Sequence, residues 1–265
     1  MWHNLATLLR YRGLIQSLVA RELKARYRGS VLGFFWSFVN PLLLISIYSF
    51  VFAVIMPADP KAQTSPVAVF MFSGLLPWTW FSASLLEGSS ALISGGNLIK
   101  KVLFPAEILP IVTVLSNMVH FVLGLLILAG FMVWNQHYPD WNELGWFPVV
   151  VLIQLIFTVG LVLLLSALTV HFRDLRDLLG NVLTFWFFAT PIIYSYKMDT
   201  VAGFIGYFRW NPFFHLAVSY QEILFFTGEF GHLKWLPVMA AGSILTFFAG
   251  YCLFDRLRDS FAEAV

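Results

Sequence analysis

The chain has 265 residues, of which 59% are hydrophobic, 18% aromatic and only 11% charged, against about 25% charged in an ordinary soluble domain. Its mean hydropathy of +0.80 leaves too little polar surface to clothe a compact water-soluble body, so most of the exterior must face lipid. A net charge of +2 argues against nucleic acid or another polyanion as partner, and the single cysteine, Cys252, excludes an internal disulfide and a multi-cysteine metal site.

Residues 1–30 lack the apolar core and small-residue cleavage site of a signal peptide. They predict an amphipathic helix instead. Leu14, Ile15, Leu18 and Val19 share one face, and Arg21, Lys24 and Arg28 make a basic stripe beside it. Such a helix suits the cytoplasmic membrane interface, and it equally suits packing on a cytosolic partner.

Stretches free of Asp, Glu, Lys and Arg then cover 29–58, 62–86, 108–139, 144–172, 178–196 and 235–254. About 20 helical residues cross a hydrocarbon core of roughly 30 Å, so each run is long enough. Backbone in hydrocarbon must bond within a helix or a closed barrel, and these runs lack the alternation of barrel strands. The reading is an all-α integral membrane fold with six transmembrane helices in 31–255 and a tail at 256–265.

Lysines and arginines set the orientation. Twelve fall in the N-terminal segment, the loops after the second and fourth spans and the tail; four, Lys61, Lys197, Arg209 and Lys234, fall in the opposite loops. The positive-inside bias places both termini in the cytoplasm. Asn40-Pro41 in the first span and Thr190-Pro191 near the outer end of the fifth are candidate bends. Between the fifth and sixth spans, 197–234 is apolar and aromatic, but Arg209 and Glu222 leave only twelve uncharged residues between them. Short re-entrant or interfacial helices flanking Asn211-Pro212 are expected there, not a seventh span.

The sequence contains no GxxxxGK[ST] phosphate loop, since Gly is never followed by Lys. The charge-free runs contain no Asp, Glu, Lys or Arg, and histidine is their only group that ionises near neutral pH, so ion-coupled transport lacks its usual equipment. His120, inside the third span, reads chiefly as a packing residue. Aromatics are in excess, with 28 Phe, 10 Trp and 9 Tyr. Phe34, Phe38, Ile45, Tyr48 and Phe52 follow a four-and-three rhythm along the first span, and Phe185 and Trp186 open an aromatic block in the fifth. Such stripes serve packing, lipid contact or interfacial belts; an aromatic-lined conduit for a sliding glycan is the alternative.

Five segments carry a family resemblance: RELKARYRGSVLGFFWSFVNPLL (21–43), GNLIKKVLFPAEILP (96–110), HFRDLRDLL (171–179), TPIIYS (190–195) and NPFFHLAVSYQEILF (211–225). In this order they resemble the membrane permease of ABC exporters for lipid-linked polysaccharides, closest to the O-antigen and teichoic-acid branch. The resemblance implies a homodimer of six-span subunits in the inner membrane, multi-pass, above two cassette ATPase subunits. These bind the ATP and Mg, and this chain holds no cofactor or metal. The exported substrate would be an undecaprenyl-pyrophosphate-linked glycan. The resemblance also assigns Asn97, Leu98, Val102, Phe104 and Pro105, with the N-terminal basic helix, to ATPase contact and the cytoplasmic entrance, and Arg209, Asn211, Pro212, Phe213 and Phe214 to an outer gate. Phe34, Phe38, Tyr48, Phe52, Phe185 and Trp186 would line the substrate channel. Arg26, Arg28, Lys100 and Lys101 would meet the lipid pyrophosphate at the cytoplasmic entrance, although topology and anionic lipid account for the same charges. A teichoic-acid or capsule exporter permease and a membrane-embedded glycosyl- or acyltransferase are the rival expectations; the latter calls for a cluster of Asp, Glu or His at the membrane face, and none is evident.

Overall fold

The computed structural model describes residues 11–26, 28–31, 33–51, 55, 64–100, 104–198, 201, 203–226, 228 and 230–261; of Phe34, Asn40 and Ser49 only the backbone is described. Helix α1 is Arg12–Arg26 and α2 is Trp36–Phe50. The long helix α3, Val67–Ser89, is followed by two single turns, α4 (Ala91–Ser94) and α5 (Gly96–Ile99). Next come α6 (Ile108–Trp134), α7 (Trp141–Leu144), α8 (Phe147–His171) and α9 (Leu175–Phe188). The chain ends with α10 (Ile205–Phe208), α11 (Pro212–Leu224) and α12 (Leu236–Leu257). No strand occurs among the described residues.

Among the described residues, four helices are long and apolar enough to cross a membrane: Val67–Ser89, Ile108–Trp134, Trp141–His171 and Gly231–Ser260. They match the second, third, fourth and sixth charge-free runs. Among the described residues, the first and fifth runs carry helices of 15 and 14 residues, α2 and α9, or about 21–23 Å at 1.5 Å per residue. Two local causes shorten them. Gly29 and Gly33 hold positive φ, 82° and 49°, so the start of the first run turns before α2 begins. At the other end, Thr190 precedes Pro191, which disfavours helical backbone, and α9 stops at Phe188.

Helix α3 is the centre of the bundle, with 78% of its most apolar stretch buried; the corresponding figure for Gly231–Ser260 is 28%, which puts α12 at the periphery. On one side α3 meets α6, where Trp80 donates its indole N–H to the Val114 carbonyl at 3.1 Å and stacks on Phe121. On the other it meets α8, where the Gln154 amide donates to the Pro77 carbonyl at 2.9 Å and Phe81 stacks on Phe157. Without a hydrophobic force between helices in lipid, close packing and such interhelical bonds carry the assembly. Glycines permit the closest approaches. A Cβ on Gly160 of α8 would lie 2.6 Å from the Phe247 backbone, and one on Gly250 of α12 would lie 2.1 Å from the Gly160 carbonyl oxygen.

The apolar face of α1 packs as its spacing predicts, with Leu18 buried against Ile108 and Val112 of α6 and Leu14, Ile15 and Val19 around them. Helix α11 is too short to cross, and Phe213 to Leu224 are all buried, packed on α3 and α8. The tail does not hang free where it is described. Phe261 is fully buried edge-on to Phe254, Ser260 bonds His171, and Arg258 pairs with Glu107 at 3.7 Å.

Candidate functional site

Three regions of the bundle gather the chemistry. At the end holding α1, α4 and α5, a cleft of about 710 Å³ is lined by Arg21, Glu22, Arg26, Glu87, Asn97, Leu98 and Arg176, among others. Arg26 donates to Asn117 Oδ1 at 3.1 Å and to Glu87 Oε2 at 2.5 Å, and Asn117 Nδ2 donates to the same Glu87 oxygen at 2.8 Å. Glu22, one turn back on α1, stands 4.0 Å from Arg26. Burial holds the Glu22 carboxyl above its ordinary range, with the neighbouring Glu87 charge acting in the same direction and Arg26 against it. The Arg26 guanidinium is thus committed to protein acceptors, a pairing across 61 residues of sequence that no local pattern announces.

The remaining predicted residues of this end divide. Asn97 is exposed and Leu98 half-buried on the cleft wall, Lys100 is exposed, Phe104 touches the Leu18 cluster and Pro105 is buried. Arg28 is exposed and is absent from the cleft lining. Lys101 and Val102 lie outside the described residues. Arg176, from the first turn of α9, is the residue that sequence reasoning counted for topology alone, yet it shares the cleft with Arg21 and Arg26.

Along the bundle, α2, α3 and α9 frame a groove of about 560 Å³. Tyr48 lines it, as the rhythm along the first span suggests, together with Trp78, Thr79, Ser82, Thr184, Phe187 and Phe188. The α9 aromatics point in different directions. Phe185 is 75% exposed and off the groove, and Trp186 turns inward to donate to Asn211 Oδ1 at 2.7 Å; Phe187 and Phe188 are the groove residues. Phe38 is half-buried on α2, whereas Phe52 and the Phe34 side chain lie outside the described residues.

At the opposite end, Asn211 organises the segment before the last helix. Its Oδ1 accepts from the backbone N–H of Phe213 and Phe214, capping α11, and Pro212 occupies the first turn where a missing N–H costs nothing. Its Nδ2 donates to Thr190 Oγ1 at 2.8 Å and to the Ala189 carbonyl at 3.2 Å. Phe213 is fully buried, wedged between Trp78 and Phe81 at 4.9 and 4.7 Å. Phe214 is buried and stacks on Phe208, while Arg209 is exposed and its carbonyl accepts from His215. Nearby, Glu222 accepts from Tyr196 at 2.7 Å and from the His232 backbone N–H at 2.9 Å, with the His232 ring at 3.1 Å. Burial alone pushes this carboxyl up, but the His232 and Tyr196 hydrogen bonds and the His232 charge outweigh it and hold it below its ordinary range. Glu222 figured in the sequence only as the charge that ends a short run.

A helical bundle with four membrane-length helices among its described residues, a charged cleft at one end and an aromatic groove along its side defines a polytopic membrane protein. Residues 13–225 match the family described as ABC-2 type transporter, and the chain belongs to that family. It is 44% identical over 261 residues, 97% of each chain, to the O-antigen export system permease protein RfbA of Myxococcus xanthus. It is 31% identical to a permease of the same name from Klebsiella pneumoniae, with 94% of each chain covered. The polysialic acid transport protein KpsM of Escherichia coli is 22% identical over 92% of this chain and 93% of its own. This chain is therefore a membrane permease, the transport subunit of an ABC system and not an enzyme. Nucleotide and Mg belong to the ATPase partner, and among the described residues no group of three His, Cys, Asp or Glu is placed to hold a metal.

Proposed function

We propose that this permease exports an O-antigen type polysaccharide, carried on undecaprenyl pyrophosphate, from the cytoplasmic to the outer face of the inner membrane. The observation that carries the reading is the 44% identity to an O-antigen export permease over 97% of both chains. In this reading both termini are cytoplasmic, α2 and α9 complete a six-span topology, and two copies join above two ATPase subunits. The groove between α2, α3 and α9 supports a path at the dimer seam, because its aromatic and hydroxyl lining suits sugar rings, whose C–H faces slide over aromatic faces. The cleft end suits the diphosphate: Arg21 and Arg176 lie there with the exposed Lys100 and Arg28 nearby in sequence, at a depth where cations are far cheaper than at mid-membrane.

The test is reconstitution with the cognate ATPase in vesicles loaded with lipid-linked glycans. ATP-dependent appearance of an O-antigen glycan on the far face, with polysialic acid left behind, is the expected result. Preferential movement of the acidic capsule polymer would overturn the substrate assignment. Labelling of Arg209→Cys from the outside and of Asn97→Cys from the cytoplasm checks the orientation; the reverse pattern inverts it.

A further inference from the structure

Arg26 is the last residue of α1, Glu87 lies in the final turns of α3, and Asn117 sits within α6. Elsewhere α1 meets the bundle through the apolar contact of Leu18 with Ile108 and Val112. Apolar contact is non-directional and permits sliding, whereas a guanidinium held by a carboxylate and an amide is fixed in distance and angle. The amide is itself anchored, since Asn117 Nδ2 also donates to the Thr113 carbonyl one turn back, at 3.2 Å. Arg26 lines both the cytoplasmic cleft and a smaller cavity of about 170 Å³ between α2, α3 and α6, so the three side chains sit where α1 joins two long helices.

We propose that Arg26, Glu87 and Asn117 form a rigid joint through which displacement of α1 reaches α3 and α6, making them positioning residues of the transport stroke. The proposal rests on the reading that an ATPase acts on the α1 face. It gives Arg26 a role besides any contact with the diphosphate, because each of its terminal nitrogens already donates to a protein acceptor. A displacement at α1 without this joint is absorbed by slippage of the Leu18 contact, and hydrolysis proceeds without movement of the spans.

The experiment measures glycan exported per ATP hydrolysed by the reconstituted complex. Glu87→Ala is expected to leave hydrolysis running and to lower that ratio about tenfold, within the range of ordinary coupling free energies, with KM for the glycan unchanged. Glu87→Gln preserves shape and an acceptor oxygen, so it keeps the fold while losing the ionic link, and it should show a smaller fall in the same ratio. Exchanging the charges, Arg26→Glu with Glu87→Arg, should recover part of the loss. The parental ratio in Glu87→Ala would overturn the proposal, as would a raised KM at an unchanged ratio, which would assign these charges to substrate. A second arm tethers α1 to α6 at the apolar contact beside the joint: Leu18→Cys with Val112→Cys, in a Cys252→Ser background, should keep exporting after oxidation, because helices held by a rigid joint do not part there. Loss of export on oxidation, regained on reduction, would make this contact a moving gate and sink the joint. Failure of the underlying reading is distinguishable, since the parent complex itself would then export no glycan.

Discussion

A single carboxamide, that of Asn211, holds the end of α9, the start of α11 and the Trp186 ring together. Asn211→Ala removes a helix cap worth about 0.5–2 kcal/mol and also leaves the indole N–H and the Thr190 hydroxyl without this partner. A clear fall in the thermal midpoint of the purified protein is expected, with Asn211→Asp intermediate because it keeps Oδ1 and loses the donors. Equal midpoints for alanine and parent would remove Asn211 from its organising role. Glu222 gives a pH signature. Its folded value is depressed below 4.5, so its contribution to stability is complete above the ordinary carboxylate range and disappears as pH falls through the folded value. Thermal midpoints measured from neutral pH downward should therefore draw together for parent and Glu222→Gln as the pH falls. A constant gap across the series would show that the carboxylate's ionisation is not what stabilises the segment.

Among the elements, the crossing of α8 and α12 is the least forgiving. A Cβ on Gly160 meets backbone of Phe247, which cannot swing aside, whereas a Cβ on Gly124 of α6 meets the end of the Leu76 side chain at 2.3 Å. Gly160→Ala is expected to destabilise by the upper end of the about 1–3 kcal/mol of an overpacked core or to prevent assembly, and Gly124→Ala to be mild. Size-exclusion profiles and melting in detergent compare the two. The long helices were legible beforehand because charge-free length is a one-dimensional property, and so was the α1 face through Leu14, Ile15, Leu18 and Val19. Which way a residue in an aromatic block faces is not: Phe185 and Phe187 lie two residues apart in one aromatic block, yet of the two only Phe187 lines the groove. Phe213 was read toward a gate, and the structure places its ring inside the α3 and α11 packing, so its truncation tests core stability before it tests any gate. The Arg26 to Glu87 pair was not legible because the two residues stand 61 positions apart and no local pattern links them.

For the molecule as a whole, α2, α3 and α9 frame one groove on the side of the bundle, and in the proposed homodimer a second copy closing that side would turn the groove into a conduit. Gly180 of α9 lines this groove, and a Cβ there meets nothing within 4 Å. A large side chain at this position therefore enters open space without disturbing the fold, and replacing glycine inside a helix favours the helical backbone by up to about 1 kcal/mol. Gly180→Trp is expected to fold, insert and join the ATPase like the parent while lowering glycan export severely. Gly242→Trp on exposed α12, where a Cβ likewise meets nothing within 4 Å, controls for the added ring. Melting and ATPase co-purification establish that both variants are intact, and export of glycan into vesicles is the deciding measurement. If Gly180→Trp exports at the parental rate while Gly242→Trp does too, the glycan does not pass between α2, α3 and α9. If both lose export equally, the effect belongs to the bulk of tryptophan in the membrane and not to the groove. Loss confined to position 180 places the path along the face that Tyr48, Thr184 and Phe187 share.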